Sequence, residues 1–182
     1  INTGSATKNY SNNGTAGNYI QAFNFRFQQN AATLNLGNMG IAVRGTNLDV
    51  NGTLNATGDS KITFLANANS TTVSGGGIAN LKNVECNKVG GAVTFATGAT
   101  AVATNISGTL DVLGGNLTTN GNITLVSTAT HNGRIGTLGN GVTINGNITV
   151  ERYLPASAGT RWFYVGTPVK NQTLGDILAA TN

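Results

Sequence analysis

A short apolar–polar–apolar triplet recurs along the middle of this chain, and it limits the possible folds more than any other feature. It reads Leu34-Asn35-Leu36, Ile41-Ala42-Val43, Leu48-Asp49-Val50, Leu54-Asn55-Ala56 and Ile62-Thr63-Phe64. Val93-Thr94-Phe95, Leu110-Asp111-Val112, Ile123-Thr124-Leu125, Val142-Thr143-Ile144 and Ile148-Thr149-Val150 complete the series. Alternation with period two marks a strand with one face turned in and the other out. The middle residue is usually Asn, Asp or Thr, which suits an outward position.

Spacing turns these strands into an architecture. The first five triplets begin at Leu34, Ile41, Leu48, Leu54 and Ile62, so their starts are nearly evenly spaced. Three such steps make a circuit of roughly 20 residues, and a chain that turns three times per circuit forms a triangular coil. One coil cannot bury its inward side chains alone, so stacking on the next coil is obligatory. Asn51-Gly52, Asn120-Gly121, Asn140-Gly141 and Asn145-Gly146 fall between strands. Asn-Gly pairs accept positive φ at little cost and mark turns. The expected fold is all-β: a parallel β-helix, or β-solenoid, of short strands at about 20 residues per coil. An antiparallel sandwich is the competing arrangement, but its strands usually run to about five or six residues. No helical spacing occurs before residue 170. Leu174–Ala180 has the composition to begin a short helix.

Two internal matches support the repeat. Leu48-Asp49-Val50-Asn51-Gly52 resembles Leu110-Asp111-Val112-Leu113-Gly114, at a separation that fits about three coils. Thr118–Thr124 resembles Thr143–Thr149, at a separation nearer one coil. The first match predicts Asp49 and Asp111 in equivalent places three coils apart.

The ends differ from the middle. Residues 1–30 carry Tyr10, Tyr19, Phe23, Phe25 and Phe27, and Phe23-Asn24-Phe25-Arg26-Phe27 reads as a strand with a bulky inner face. They are expected to be an N-terminal cap or strand segment, with the solenoid over 31–150. Residues 151–182 hold Pro155, Pro168, Trp162, Tyr153, Phe163 and Tyr164. This shift in composition predicts a C-terminal cap, with Trp162 covering the last coil, or the start of another domain.

Composition excludes several functions. Charged residues make up only 9% of the chain, and the net charge of +4 arises from scarce acids rather than clustered bases. Nucleic-acid binding needs a basic patch or stripe, and the ten Lys and Arg are scattered. The hydrophobic content of 39% supports a thin core and argues against disorder. No apolar run approaches the roughly 20 residues of a membrane-spanning helix.

Candidate chemical groups read as structural. Cys86 is the only cysteine and is expected to be a small buried apolar residue. His131 is the only histidine, and without a second His or a Cys pair it reads as a turn residue. The acids are Asp49, Asp59, Glu85, Asp111, Glu151 and Asp176. With Asp49 and Asp111 three coils apart, about 4.8 Å per coil places them about 14 Å apart. Paired glycosidase carboxylates lie within about 5–9.5 Å. Ser74-Gly75-Gly76-Gly77 lacks the Lys-Ser or Lys-Thr of a phosphate-cradling loop and reads as a corner. Outward positions show no regular Thr-x-Thr column of the kind that orders water on ice-binding β-helices. The Asn-x-Thr/Ser triplets, such as Asn122-Ile123-Thr124, follow from the abundance of Asn and Thr. The sequence therefore predicts no catalytic, cofactor-binding or metal-ligating residues, and no cofactor.

Ile144–Pro155, followed by Arg161–Val169, resembles a junction in large secreted proteins of Bacteroidetes-type bacteria. There, Gly/Asn/Thr-rich repeats end in a Val-x-Arg-Tyr-Ile/Leu-Pro segment and then an Arg-Trp-aromatic segment. Asn116–Leu125 resembles the repeat text of the same proteins, and the likeness covers residues 105–170. It implies adhesin-like or surface-layer function and export by a type IX secretion system, through a C-terminal sorting domain not visible in this chain. The expected role is a non-enzymatic cell-surface structural or adhesin-like protein. Its implied partners are secretion or outer-membrane machinery and surface glycans or neighbouring surface proteins. The alternative is a carbohydrate-binding or carbohydrate-cleaving β-helix. The chain opens on Ile1 without a signal-like segment, which leaves export open.

Overall fold

The structure, a computed structural model, describes residues 8–9, 19–27, 32–65 and 69–155. These residues form a parallel β-solenoid of about five turns, with no α-helix among them. A single 3-10 turn spans Gly98–Thr100. The C-terminal segment expected to cap the coil, including Trp162, lies outside the described residues, as does the expected short helix at 174–180.

Each coil contributes one strand to each of three ladders. The first ladder stacks Lys8–Asn9, Thr33–Asn35, residues 53–56, residues 78–81, Ala103–Ile106, Ile123–Leu125 and Ile148–Val150. The second stacks Tyr19–Ala22, Gly40–Val43, residues 61–64, 83–86 and 110–112, and Arg134–Leu138. The third stacks Phe25–Phe27, Asn47–Val50, Thr71–Ser74, residues 93–95 and 117–118, and Ile144–Asn145. All these pairings are parallel. One antiparallel bridge, Ser127 to Asn132, closes a loop beyond the first ladder.

Most triplets fall where their alternation places them, but Val142 and Thr143 precede the strand Ile144–Asn145. Leu34 lies under Leu54, Ile41 under Ile62 and Leu48 under Val73. Inward residues of successive coils thus form columns, and each column is nearly sealed from solvent between residues 34 and 125. Coil length is less regular than the first triplets suggest. The circuit from Thr104 to Ile123 is short, and the circuit from Leu117 to Ile144 is much longer. The variation sits in corners and bulges, such as the register break between Ala56 and Lys61.

Residues 19–27 lie in the regular ladders, so the described solenoid begins before residue 31. Phe25 and Phe27 point inward, but Phe23 is 63% exposed. It sits at a bend, and its carbonyl accepts the Gly45 N–H. The strand with the bulky inner face is therefore only Phe25–Phe27.

Asn-Gly corners work largely as their sequence implies. Gly121, Gly141 and Gly146 all hold positive φ, as does Asn120. Asn51-Gly52 turns without it.

Candidate functional site

The outer surface of the first ladder carries a chain of amides. Asn35, Asn55, Asn80 and Asn105 occupy one column in consecutive coils. Asn55 Nδ2 donates to Asn35 Oδ1 at 2.8 Å, Asn80 Nδ2 to Asn55 Oδ1 at 2.8 Å, and Asn105 Nδ2 to Asn80 Oδ1 at 2.9 Å. An amide offers two donor hydrogens and two acceptor lone pairs. Asn55 and Asn80 therefore each retain one donor and one acceptor site beyond the ladder. Thr124 and Thr149 continue the column as hydroxyls. Beside the upper amides runs a shallow groove of about 270 Å³, lined by Thr57, Asn80, Leu81, Asn105, Ser107 and Val126.

The other two ladders carry ion pairs and hydroxyls. On the third, Arg26 Nε lies 2.9 Å from Asp49 Oδ2, and Ser74 Oγ donates to Asp49 Oδ1. Thr72, Thr94 and Thr118 form a threonine column there. Its members are unevenly spaced along the chain, so no fixed Thr period shows in the sequence. On the second, Lys61 Nζ lies 2.6 Å from Glu85 Oε2. Asp111 stacks on Glu85 and accepts the Thr137 N–H at 2.7 Å. Asp49 and Asp111 thus belong to different ladders and are not equivalent. The match between Leu48–Gly52 and Leu110–Gly114 compares strands on two faces of the triangle, because unequal corners let the same text recur out of phase. Both carboxylates are engaged by their own neighbours.

The remaining sequence candidates are placed as follows. Cys86 lies in an inward column between Phe64 and Val112. Burial, with a smaller push from Glu85, raises its thiol pKa to about 12. Nucleophilic cysteine chemistry needs the thiolate, which this position suppresses. His131 sits in the exposed loop closed by the Ser127–Asn132 bridge, with Nδ1 2.8 Å from Thr130 Oγ1. In Ser74-Gly75-Gly76-Gly77 the amides are turned onto the chain itself. Gly75 and Gly76 donate to Thr100 O at 3.0 and 3.2 Å, and Gly77 donates to Val50 O at 2.9 Å. Among the described residues no group of three or more His, Cys, Asp or Glu is placed to hold a metal ion. No described helix is long and apolar enough to cross a membrane.

One group escaped the sequence reading. Lys88 is fully buried, and its Nζ donates to Arg44 O and Gly45 O, each at 3.2 Å. Those carbonyls belong to the same corner two coils earlier. Thr71 Oγ1, from the coil between, donates to the same Gly45 carbonyl at 2.6 Å. Gly45 is required here, because an added Cβ would overlap the Phe23 carbonyl oxygen. Burial lowers the Lys88 pKa. The signal available in sequence was parity: Val84, Cys86 and Lys88 share one side of the strand, so the lysine points inward.

Comparison with protein-family models, curated proteins and solved structures finds no match to this chain.

Proposed function

We propose that this chain is a non-enzymatic structural or adhesin-like module of a bacterial cell surface, exported by a type IX-like route. The observation that carries the reading is the outward amide ladder Asn35–Asn55–Asn80–Asn105. It gives a repetitive, uncharged, hydrogen-bonding face at one strand spacing per coil, about 4.8 Å. Such a face suits multivalent contact with surface glycans or neighbouring surface proteins, where many weak bonds act together. The junction text Val150-Glu151-Arg152-Tyr153-Leu154-Pro155 supports the secretory assignment by resemblance. Antibody labelling of intact producer cells tests it. Labelling without permeabilisation is expected, and signal only after permeabilisation overturns the surface assignment.

A carbohydrate-binding or carbohydrate-cleaving β-helix is the second reading, favoured by the groove beside Asn80 and Asn105. On a glycan array, binding that Asn105→Leu abolishes would support recognition there. Release of reducing ends from a bound glycan would replace the non-enzymatic reading.

A further inference from the structure

The corners contain a chemical difference that the repeat conceals. Asn-Gly is the dipeptide most open to intramolecular attack by its own backbone, because glycine puts no side chain in the path of the attacking nitrogen. Five such pairs lie in the described residues, and four are held. Gly52 is buried, and its carbonyl accepts the Ile78 N–H at 2.9 Å. Asn120 Nδ2 donates to Phe95 O at 2.6 Å. Gly133 is buried, and its nitrogen, the would-be nucleophile, donates to Val126 O at 2.7 Å. Asn145 pairs with Thr118 in the third ladder, and its carbonyl accepts the Thr119 N–H at 2.9 Å.

Asn140-Gly141 lacks any such hold, although it shares exposure, a turn and a positive-φ glycine with Asn120-Gly121. Both residues are exposed in a turn. Among the described residues neither the Asn140 side chain nor the Gly141 nitrogen makes a hydrogen bond. Gly141 has φ +73°, and nothing lies within 4 Å of where its Cβ would stand. The pair joins Arg134–Leu138 to Ile144–Asn145 in the last described coil, where Ile135 and Leu138 are already exposed.

We propose that Asn140-Gly141 is a self-modification site, deamidating well ahead of the other four pairs. The Gly141 nitrogen loses its proton to hydroxide or water and attacks Asn140 Cγ. A Cγ–N bond forms, the Cγ–Nδ2 bond breaks and ammonia leaves, giving a five-membered succinimide. Water then opens the ring at either carbonyl, leaving aspartate or isoaspartate. The net reaction consumes one water, releases one ammonia and takes the formal charge from +4 to +3. The isoaspartate product lengthens the backbone by one carbon at the last corner, where no further described coil holds it.

Incubation of the folded protein at mildly alkaline pH, followed by peptide mapping with mass spectrometry, tests this. Conversion at Asn140 is expected several-fold faster than at Asn51, Asn120, Asn132 or Asn145. Equal rates, or another pair in the lead, would overturn the proposal. In strong denaturant the five rates should converge, and a persistent lead for Asn140 there would show that local sequence, not the fold, sets it. With Asn13-Gly14, a sixth pair outside the described residues, removed as Asn13→Gln, isoaspartate labelling by a protein methyltransferase should fall sharply in Asn140→Gln, and unchanged labelling sinks the assignment.

Discussion

The inner coils and the last described coil are built from the same text, yet their side chains meet different fates. Ile62, Leu110 and Ile123 are sealed. Ile135 and Leu138 stack on Leu110 and Val112 in the next coil up, and they are 42% and 54% exposed. The residue types are alike, and what differs is a described coil above. In a solenoid, therefore, burial belongs to a residue's neighbours along the stack more than to its own hydrophobicity.

The sharpest test of that contrast is truncation in matching columns. Phe64→Ala, in the interior, should cost about 3–5 kcal/mol of unfolding free energy in denaturant titration. Leu138→Ala should cost about 0.5 kcal/mol or less, the usual range for a surface site. Equal losses would mean that the last coil is as well covered as the interior.

The Lys88 clamp ranks next. Lys88→Ala removes both the packed stem and two hydrogen bonds from an ammonium, so a loss of about 2–4 kcal/mol is expected. Lys88→Met keeps most of the stem and should cost about 1–2 kcal/mol. If the two variants match, the hydrogen bonds to Arg44 and Gly45 carry the effect and the stem little.

The amide ladder offers a smaller contrast. Asn80 is bonded on both sides and Asn105 to Asn80 alone within the ladder. At about 0.5–1.5 kcal/mol per bond, Asn80→Ala should cost roughly twice as much as Asn105→Ala. Equal costs would show that the amides act independently.

Least visible at neutral pH is Cys86. Its folded pKa of about 12 lies above the ordinary value of 9.0. The folded state therefore holds its proton where the unfolded chain loses it. The associated stability is intact below pH 9.0 and is lost as pH rises towards about 12. Cys86→Val should flatten that alkaline slope, and native Cys86 should stay unreactive to a thiol reagent until the protein unfolds.

Much of this was legible in advance. Triplets revealed strand positions, inward faces and three strands per coil, because period-two alternation survives any variation in the corners. Register was less legible, since coils of unequal length shift one face onto another's sequence phase. That is why Asp49 and Asp111 looked equivalent. The asparagine ladder stayed hidden for a related reason. The step from Asn35 to Asn55 is shorter than the two equal steps that follow, and Asn is so common here that no single position stands out. Ala42, a middle residue that is buried, shows that the alternation itself yields where a strand is covered on both faces.

The uniformly parallel ladders carry a mechanical consequence. Strands lie across the stack, so the hydrogen bonds between coils run along it, and the described chain enters at one end and leaves at the other. Tension applied between those ends loads one inter-coil seam at a time, peeling rather than shearing. Each freed coil of roughly 20–25 residues would lengthen the chain by roughly 65–90 Å, at about 3.3–3.6 Å per residue. A pulled molecule should therefore yield in many small, low-force steps. The steps should merge where Lys88 ties one corner to another two coils away, making that stretch a shock absorber with a single stiff link.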